Sequence, residues 1–424
     1  MIAIKFSEDE VHEFIRSAEW SDLFVPAPCL DFQVLSGANE ETEEIQDEGC
    51  IEDESFELWE VLKARAMKKV KRLHFSVSDG RLVGSKVKLH VPGNRSMELD
   101  LIGLYEDGMF VVELKVKASA ERNSFTELLG YSNYIAGLFP MTGRQDICNV
   151  LIANMQTGIA RQAYLYDILI NDRTTIVYNP VWKTDELTSL TLELYLPEDD
   201  DFKKFANSLL SHGAMSCVVA SFDNIEGWID DDEGEFGGLN ADTKKNLSLL
   251  SAHAAQLMES ENIHGFCFIR KPWKEIPRHY RNSIFICAIN PFHENKTDDL
   301  TRFLSQLDDN GEDLQWLAGS GFHGRLLRLA EQVIEESLDG KVNYEREMPT
   351  WAYVVTNMQE VVFTHNLAFR PTGIFREAYV SYVDSLYRSN LKDPGYHDLS
   401  TLKIKEINAW MRAWMFMEGC GLSG

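Results

Sequence analysis

No stretch of this sequence stays apolar for the roughly 18 residues that a membrane span requires. That absence predicts a chain with no membrane partner. The seven cysteines are scattered at positions 29, 50, 148, 217, 267, 287 and 420. None forms a CxxC or CxxH pair, so neither a zinc cluster nor an even disulfide framework is expected. The 11 histidines never fall at HxH or HExxH spacing, which removes the helical metalloprotease pattern. No Ser or Cys sits in a nucleophile elbow. The opening "MIAIKFSEDEVHEFI" has neither the basic start nor the small-residue cleavage site of a secretory signal. The expected compartment is the reducing cytoplasm. Bases are scarce, with 41 Lys and Arg against 67 Asp and Glu. A net charge of -26 by itself argues against a nucleic-acid partner.

What is present changes that argument. Hydrophobic residues make up 44% of the chain and charged residues 25%, the balance of a globular protein with a sizeable core. A length of 424 residues predicts two or three domains. The charge is uneven. Residues 1–59 carry 17 acids and 2 bases, whereas residues 60–125 carry 13 bases and 8 acids. The basic region is either the solvated face of a helix, "VLKARAMKKVKRLHF", or a cationic band around a phosphodiester-handling site.

Along the chain, Glu8 to Glu19 reads as a short helix. The acid-rich "SGANEETEEIQDEGCIEDESFE" reads as an insertion with too few apolar residues to pack, either a solvating linker or a nucleic-acid mimic that quiets the site. "SFELWEVLKARAMKKVKRL" has helical periodicity, with Lys and Arg placed late. "LHFSVSD", "RLVGSKVKLHV", "MELDLIGLY" and "MFVVELKVK" read as strands, with Asp-Gly turn signals in "SDGR" and "YEDGM". A helix capped near Asn123 or Ser124 is expected to stop at Pro140. Strand "DICNVLIANM", helix "TGIARQAYLYDILIN" and strand "RTTIVYNP" follow. In the second half "AMSCVVASF", "IHGFCFIRKP", "SIFICAINPF" and "WAYVVTN" read as strands among helical stretches. The expected organisation is an N-terminal arm with an acidic insertion over 1–54, a mixed-sheet α/β domain over 55–196, and a second α/β domain of unknown role over 205–424.

One stretch carries chemistry. In "MELDLIGLYEDGMFVVELKVKAS", Glu98 and Asp100 share one strand face, and Glu113, Lys115 and Lys117 share a face of the next. A hairpin turning near Glu106 brings Asp100 beside Glu113. Two close carboxylates repel, and burial makes their ionisation costlier. A divalent cation relieves both problems, and Mg²⁺ favours one or two carboxylates with waters and phosphate oxygens. An ammonium two residues on stabilises charge developing on phosphate. The hairpin with plain surface salt bridges is the competing reading.

Asp100 followed by Glu113-Leu114-Lys115 resembles the signature of the PD-(D/E)XK nuclease superfamily. The wording "ELDLIG…FVVELK" is similar to its restriction and repair branches. Those branches often continue with Gln-Leu-Leu-x-Tyr on a helix, and this chain has Glu127-Leu128-Leu129-Gly130-Tyr131. The Pro of the family name is absent, since Leu99 precedes Asp100. The likeness covers roughly residues 55–180. It implies a restriction-endonuclease-like mixed sheet flanked by helices. It also implies Asp100 and Glu113 as ligands of Mg²⁺ or Mn²⁺, the Leu114 carbonyl completing the shell, and Lys115 assisting catalysis. An upstream helix acid is implied as well, Glu57 or Glu60, with Glu60 preferred because it adjoins the packed Phe56 and Trp59. Glu127 is a further candidate.

Weaker signals favour bland readings. "GSGFHG", Gly319 to Gly324, matches GxGxxG but lacks a preceding strand and a correctly placed acid, so it reads as a turn. "DDDEGE", Asp230 to Glu235, lacks the EF-hand spacing. His323, His365 and His397 read as structural or surface residues, and Trp316, Trp351, Trp410 and Trp414 as core. The expected activity is metal-dependent hydrolysis of DNA in prokaryotic or phage defence, restriction or repair. The alternatives are a non-catalytic nuclease-fold interaction protein and an RNA-directed nuclease. The C-terminal domain is the expected surface for a homo-oligomer or protein partner.

Overall fold

The computed structural model describes residues 6–26, 58–89, 97–106, 108–117, 121–139, 146–171, 173–209, 212–223, 232–233, 238–273, 276, 278–291, 293, 297–307, 323–338, 342–359, 364–392 and 416–417. The acid-rich stretch 38–54, Trp316, the turn residues 319–322, His397, Trp410 and Trp414 lie outside them. Two compact units divide the chain. One is Met1–Gln33 with Leu62–Phe202, the other Val34–Val61 with Lys203–Gly424. The protein is α/β, with a mixed six-stranded sheet in the first unit and an antiparallel five-stranded sheet in the second. Among the described residues no helix is long and apolar enough to cross a membrane.

The first unit opens with α1 (Glu8–Ser17). Its start is fixed by a reciprocal capping box between Ser7 and Glu10. A 3-10 turn, Trp20–Leu23, and α2 (Leu58–Ser78) follow. The strands β1 (Arg81–Leu89), β2 (Met97–Tyr105), β3 (Gly108–Lys115), β4 (Ile147–Ala153), β5 (Thr175–Trp182) and β6 (Leu190–Leu194) lie in sequence order across the sheet. β1, β2 and β3 are antiparallel, β3, β4 and β5 are parallel, and β6 returns antiparallel. The parallel steps need crossovers, and α3 (Glu121–Leu138) and α4 (Gly158–Leu169) supply them. α5 (Asp199–Leu209) follows β6.

Alternation along β3 separates the two faces of this sheet. Phe110, Val112 and Leu114 join a core with Val11 and Ile15 of α1 and Val70, Leu73 and Val77 of α2. Val111, Glu113 and Lys115 therefore point to the other face, and α3 packs on β3 and β4. Trp20 stacks on Phe110 at 5.4 Å between ring centroids, and its indole N–H donates to the Val77 carbonyl at 2.8 Å.

Two segments expected as strands are helical. "LHFSVSD" continues α2 to Ser78. Val70, Leu73 and Val77 recur at helical spacing into one core, and this overrides the β-leaning composition. "SDGR" is accordingly a helix exit rather than a hairpin, and the last turn of α2 holds no base. "WAYVVTN" is α9 (Trp351–Gln359), with Trp351, Val354, Val355 and Met358 buried along one stripe. α3 begins at Glu121, before the expected cap at Asn123 or Ser124, and ends at Leu138. β6 has no counterpart among the expected strands.

In the second unit β12 (Tyr344–Glu347), β7 (Met215–Phe222), β11 (Asn282–Ile289), β10 (Gly265–Pro272) and β13 (Thr364–Thr372) form the sheet in that order. Its helices are α6 (Ala241–Ser260), α7 (Thr297–Leu304), α8 (His323–Leu338), α9 and α10 (Gly373–Lys392). β8 (Asp232–Glu233) and β9 (Gly238–Leu239) pair separately. One core unites Val218, Phe222, Ile269 and Ile284 with Leu247 and Leu250 of α6 and Leu326 and Val333 of α8. An aromatic set of Phe266, Phe268, Phe285, Phe369 and Phe375 includes Trp351, whose ring meets Phe266 edge-on at 6.0 Å.

Gly103 lies opposite Phe110 in the β2–β3 pairing. A Cβ there would fall 2.0 Å from the Phe110 ring, which Trp20 pins from above. Gly103→Val is expected to lower stability by about 1–3 kcal/mol, the usual cost of overpacking. Urea unfolding measures it, with an unchanged m-value expected.

Candidate functional site

The β2–β3 register pairs Leu101 with Val112. The next step along each strand sets Asp100 across from Glu113. Asp100 is half-buried and Glu113 is 2% exposed. The backbone N–H of Leu114 donates to Asp100 Oδ2 at 2.8 Å. That bond fixes the carboxylate and leaves its other oxygen for a different partner. The Lys115 ammonium contacts Glu113 Oε1. It also pairs with Glu127 Oε2 of α3 at 3.1 Å. Tyr131, one turn beyond Glu127, donates its hydroxyl to the Glu98 carbonyl at 3.0 Å and so ties α3 to β2. Asp100, Glu113, Lys115 and Glu127 are thus brought together.

Burial dominates the electrostatics. Burial first, and the facing Asp100 second, push the Glu113 carboxyl up to about 8, and contact with Lys115 opposes this without prevailing. Asp100 is also raised by burial, against the Leu114 N–H and the Lys115 charge. Burial alone would lower Lys115, yet Glu113 and Glu127 together hold its ammonium well above the usual lysine range. Burial, then the nearby Glu113, Glu127 and Asp100, raise the Tyr131 hydroxyl, which stays a donor.

Glu113 Oε2 is buried with no hydrogen-bond partner. A buried carboxylate oxygen left in this way is costly, and a cation would satisfy it. Among the described residues no three or more His, Cys, Asp or Glu side chains gather to hold a metal. Two facing carboxylates are the number that Mg²⁺ takes alongside waters. Asp100 and Glu113 would hold the ion. Leu114, whose carbonyl is the other expected ligand, lies between Glu113 and Lys115, and its N–H donates to Asp100.

Glu60 occupies the first turn of α2, in the portion that clusters with the second unit. The buried stripe of α2 packs on the sheet face opposite Glu113. The same geometry moves the basic band: the bases of α2 belong to a helix across the sheet from Lys115. Lys63 pairs with Asp199, and Arg65 donates to the Leu169 carbonyl at 3.1 Å. Glu98 and Lys117 are exposed.

Two supporting residues escaped the sequence reading. His12 of α1 is buried, and its Nε2 donates to the Asp100 carbonyl at 3.1 Å. Glu121 is fully buried at the start of α3. Its carboxylate accepts from the backbone N–H groups of Gln156 and Thr157 and from the Thr157 hydroxyl, all at 3.1–3.2 Å. An acid beside the first turn of α4 is favourable, but no short motif flags a partner 35 residues away.

Between its ordinary value of 4.5 and about 8, Glu113 binds more protons folded than unfolded. Stability therefore falls as pH rises through that window. Without divalent cations, the thermal midpoint is expected to drop from pH 5 to pH 8, and Glu113→Gln to flatten the drop. A calorimetric pH series checks this. Glu121→Ala strands two backbone N–H groups and is expected to cost about 1–3 kcal/mol of stability, measured by urea unfolding. Compared with known proteins, this chain matches no family model, no curated protein and no solved structure.

Proposed function

We propose that this chain hydrolyses DNA phosphodiester bonds with a divalent cation, Mg²⁺ or Mn²⁺, held by Asp100 and Glu113. The observation that carries the reading is the pair of facing, half-buried to buried carboxylates, one with an unpartnered oxygen, with Lys115 on the same face. The resemblance of Asp100…Glu113-Leu114-Lys115 to the PD-(D/E)XK signature supports it. A bound cation there offsets phosphate charge and makes water more acidic. The residues do the rest. The Leu114 N–H keeps Asp100 ionisable and oriented. Lys115, its charge secured by Glu127, places an ammonium where the phosphate's developing charge needs it. A role in defence, restriction or repair, and in oligomer or partner contact for the second unit, extends the same reading.

One observation favours a second reading, a non-catalytic interaction module. Lys115 is already neutralised by Glu113 and Glu127, and the basic helix lies across the sheet.

The test is cleavage of plasmid, linear and single-stranded DNA, and of an RNA oligonucleotide, with Mg²⁺, Mn²⁺ or EDTA. Cation-dependent DNA cutting is expected, reduced at least about 100-fold in Asp100→Asn and Lys115→Ala, the scale of losing one charge-stabilising group. Cutting of RNA alone would change the substrate. No cutting together with no calorimetric Mn²⁺ binding would leave the interaction module.

A further inference from the structure

The resemblance leads one to expect a Gln where this chain has Glu127, and the difference is one full charge beside Lys115. The Lys115 side chain is only 13% exposed, so its ammonium relies on carboxylates rather than water to balance it. It has two, on different elements: Glu113 on its own strand and Glu127 on α3. The two are not equivalent. Glu113 is 3% exposed at its side chain and faces Asp100, whereas the Glu127 side chain is 38% exposed. Both acids have a buried oxygen without a hydrogen-bond partner, but Glu127 Oε2 already faces the Lys115 ammonium at 3.1 Å, so Glu113 Oε2 is the oxygen a cation would engage.

A dication at Glu113 competes with Lys115 for the same carboxylate and repels the ammonium. If Glu113 were the lysine's sole partner, binding would strand a half-buried positive charge next to another. A second carboxylate on a different element removes that conflict. α3 is held in place for this task at two points. Glu121 is bonded to the turn before α4, and Tyr131 to the Glu98 carbonyl. Residue 127 lies between them, so its position is set by the helix rather than by Lys115.

We propose that Glu127 is a positioning residue that retains the Lys115 ammonium when Glu113 turns to a divalent cation, letting lysine and cation share one site. This rests on the metal-dependent reading above. Glu127 acts through Lys115 and is not itself a ligand.

The two modes of action separate in a double-mutant cycle. Mn²⁺ affinity is measured by calorimetry, without nucleic acid, for wild type, Glu127→Gln, Lys115→Met and the double variant. Lys115→Gln serves as a second background in case the Met variant folds poorly, and each variant's thermal midpoint is recorded. Glu127→Gln is expected to weaken Mn²⁺ binding about tenfold in the wild-type background. Once Lys115 is replaced it should change affinity by less than about twofold, because no ammonium is left to retain. Glu127→Asp should recover part of the loss, which a purely structural role for the position would not produce. Equal losses with and without Lys115 would overturn the proposal by making Glu127 a ligand or a bulk charge, while leaving the cation site intact. No loss in Glu127→Gln would overturn it too. Absence of Mn²⁺ binding in wild type would overturn both this role and the metal-dependent reading.

Discussion

Asp100 and Glu113 face each other across β2 and β3 with little water to screen them, and much of the first unit answers that repulsion. The Leu114 N–H holds one carboxylate and the Lys115 ammonium the other. α3 brings Glu127 to balance the lysine. α1 reaches behind the strand to hold the Asp100 backbone through His12. The Lys86 ammonium pairs with Asp9 of the same helix at 2.9 Å, so the β1 edge is tied to α1 as well. A pair of charges that destabilises the fold locally is tolerated because neighbouring elements constrain it from both faces of the sheet.

How much of this could be read beforehand depended on how local the signal was. The alternation in "MELDLIG" and "FVVELK" places Asp100, Glu113 and Lys115 on one face from residue spacing alone, and the Asp-Gly turn sets their register. Glu127 was visible as a position in a helix, but its contact with Lys115 depends on how α3 docks. Glu121 and His12 bond to residues far away in sequence, so no window could reveal them. The two misread helices share a cause. "LHFSVSD" and "WAYVVTN" are rich in β-formers, yet their apolar residues recur at 3–4 positions, and packing decided against composition.

Charge geography was the weaker guide. A net count over residues 60–125 joins bases that the fold distributes to opposite sides of one sheet. α2 buries its apolar stripe against the same face of β3 as α1, which takes its lysines and arginines away from Lys115. Among the described residues, the ammonium paired with these carboxylates is that of Lys115, which meets Glu113 and Glu127. Under the proposed function, such a site would take a small dication before a polyanion, since the cation's charge has to be in place before a phosphate can approach without repulsion.

The mooring of α3 at both Glu121 and Tyr131 also bears on how the gene can drift. Three residues separate Lys117 from Glu121, and each residue advances a helix by about 100°. Adding or losing one codon in that short link is harmless only if Glu121 still reaches the turn before α4. A slip within α3 itself would swing residue 127 to a different side of the helix while Tyr131 lost the Glu98 carbonyl. Length variation among descendants of this gene should therefore be sparse between Lys115 and Tyr131.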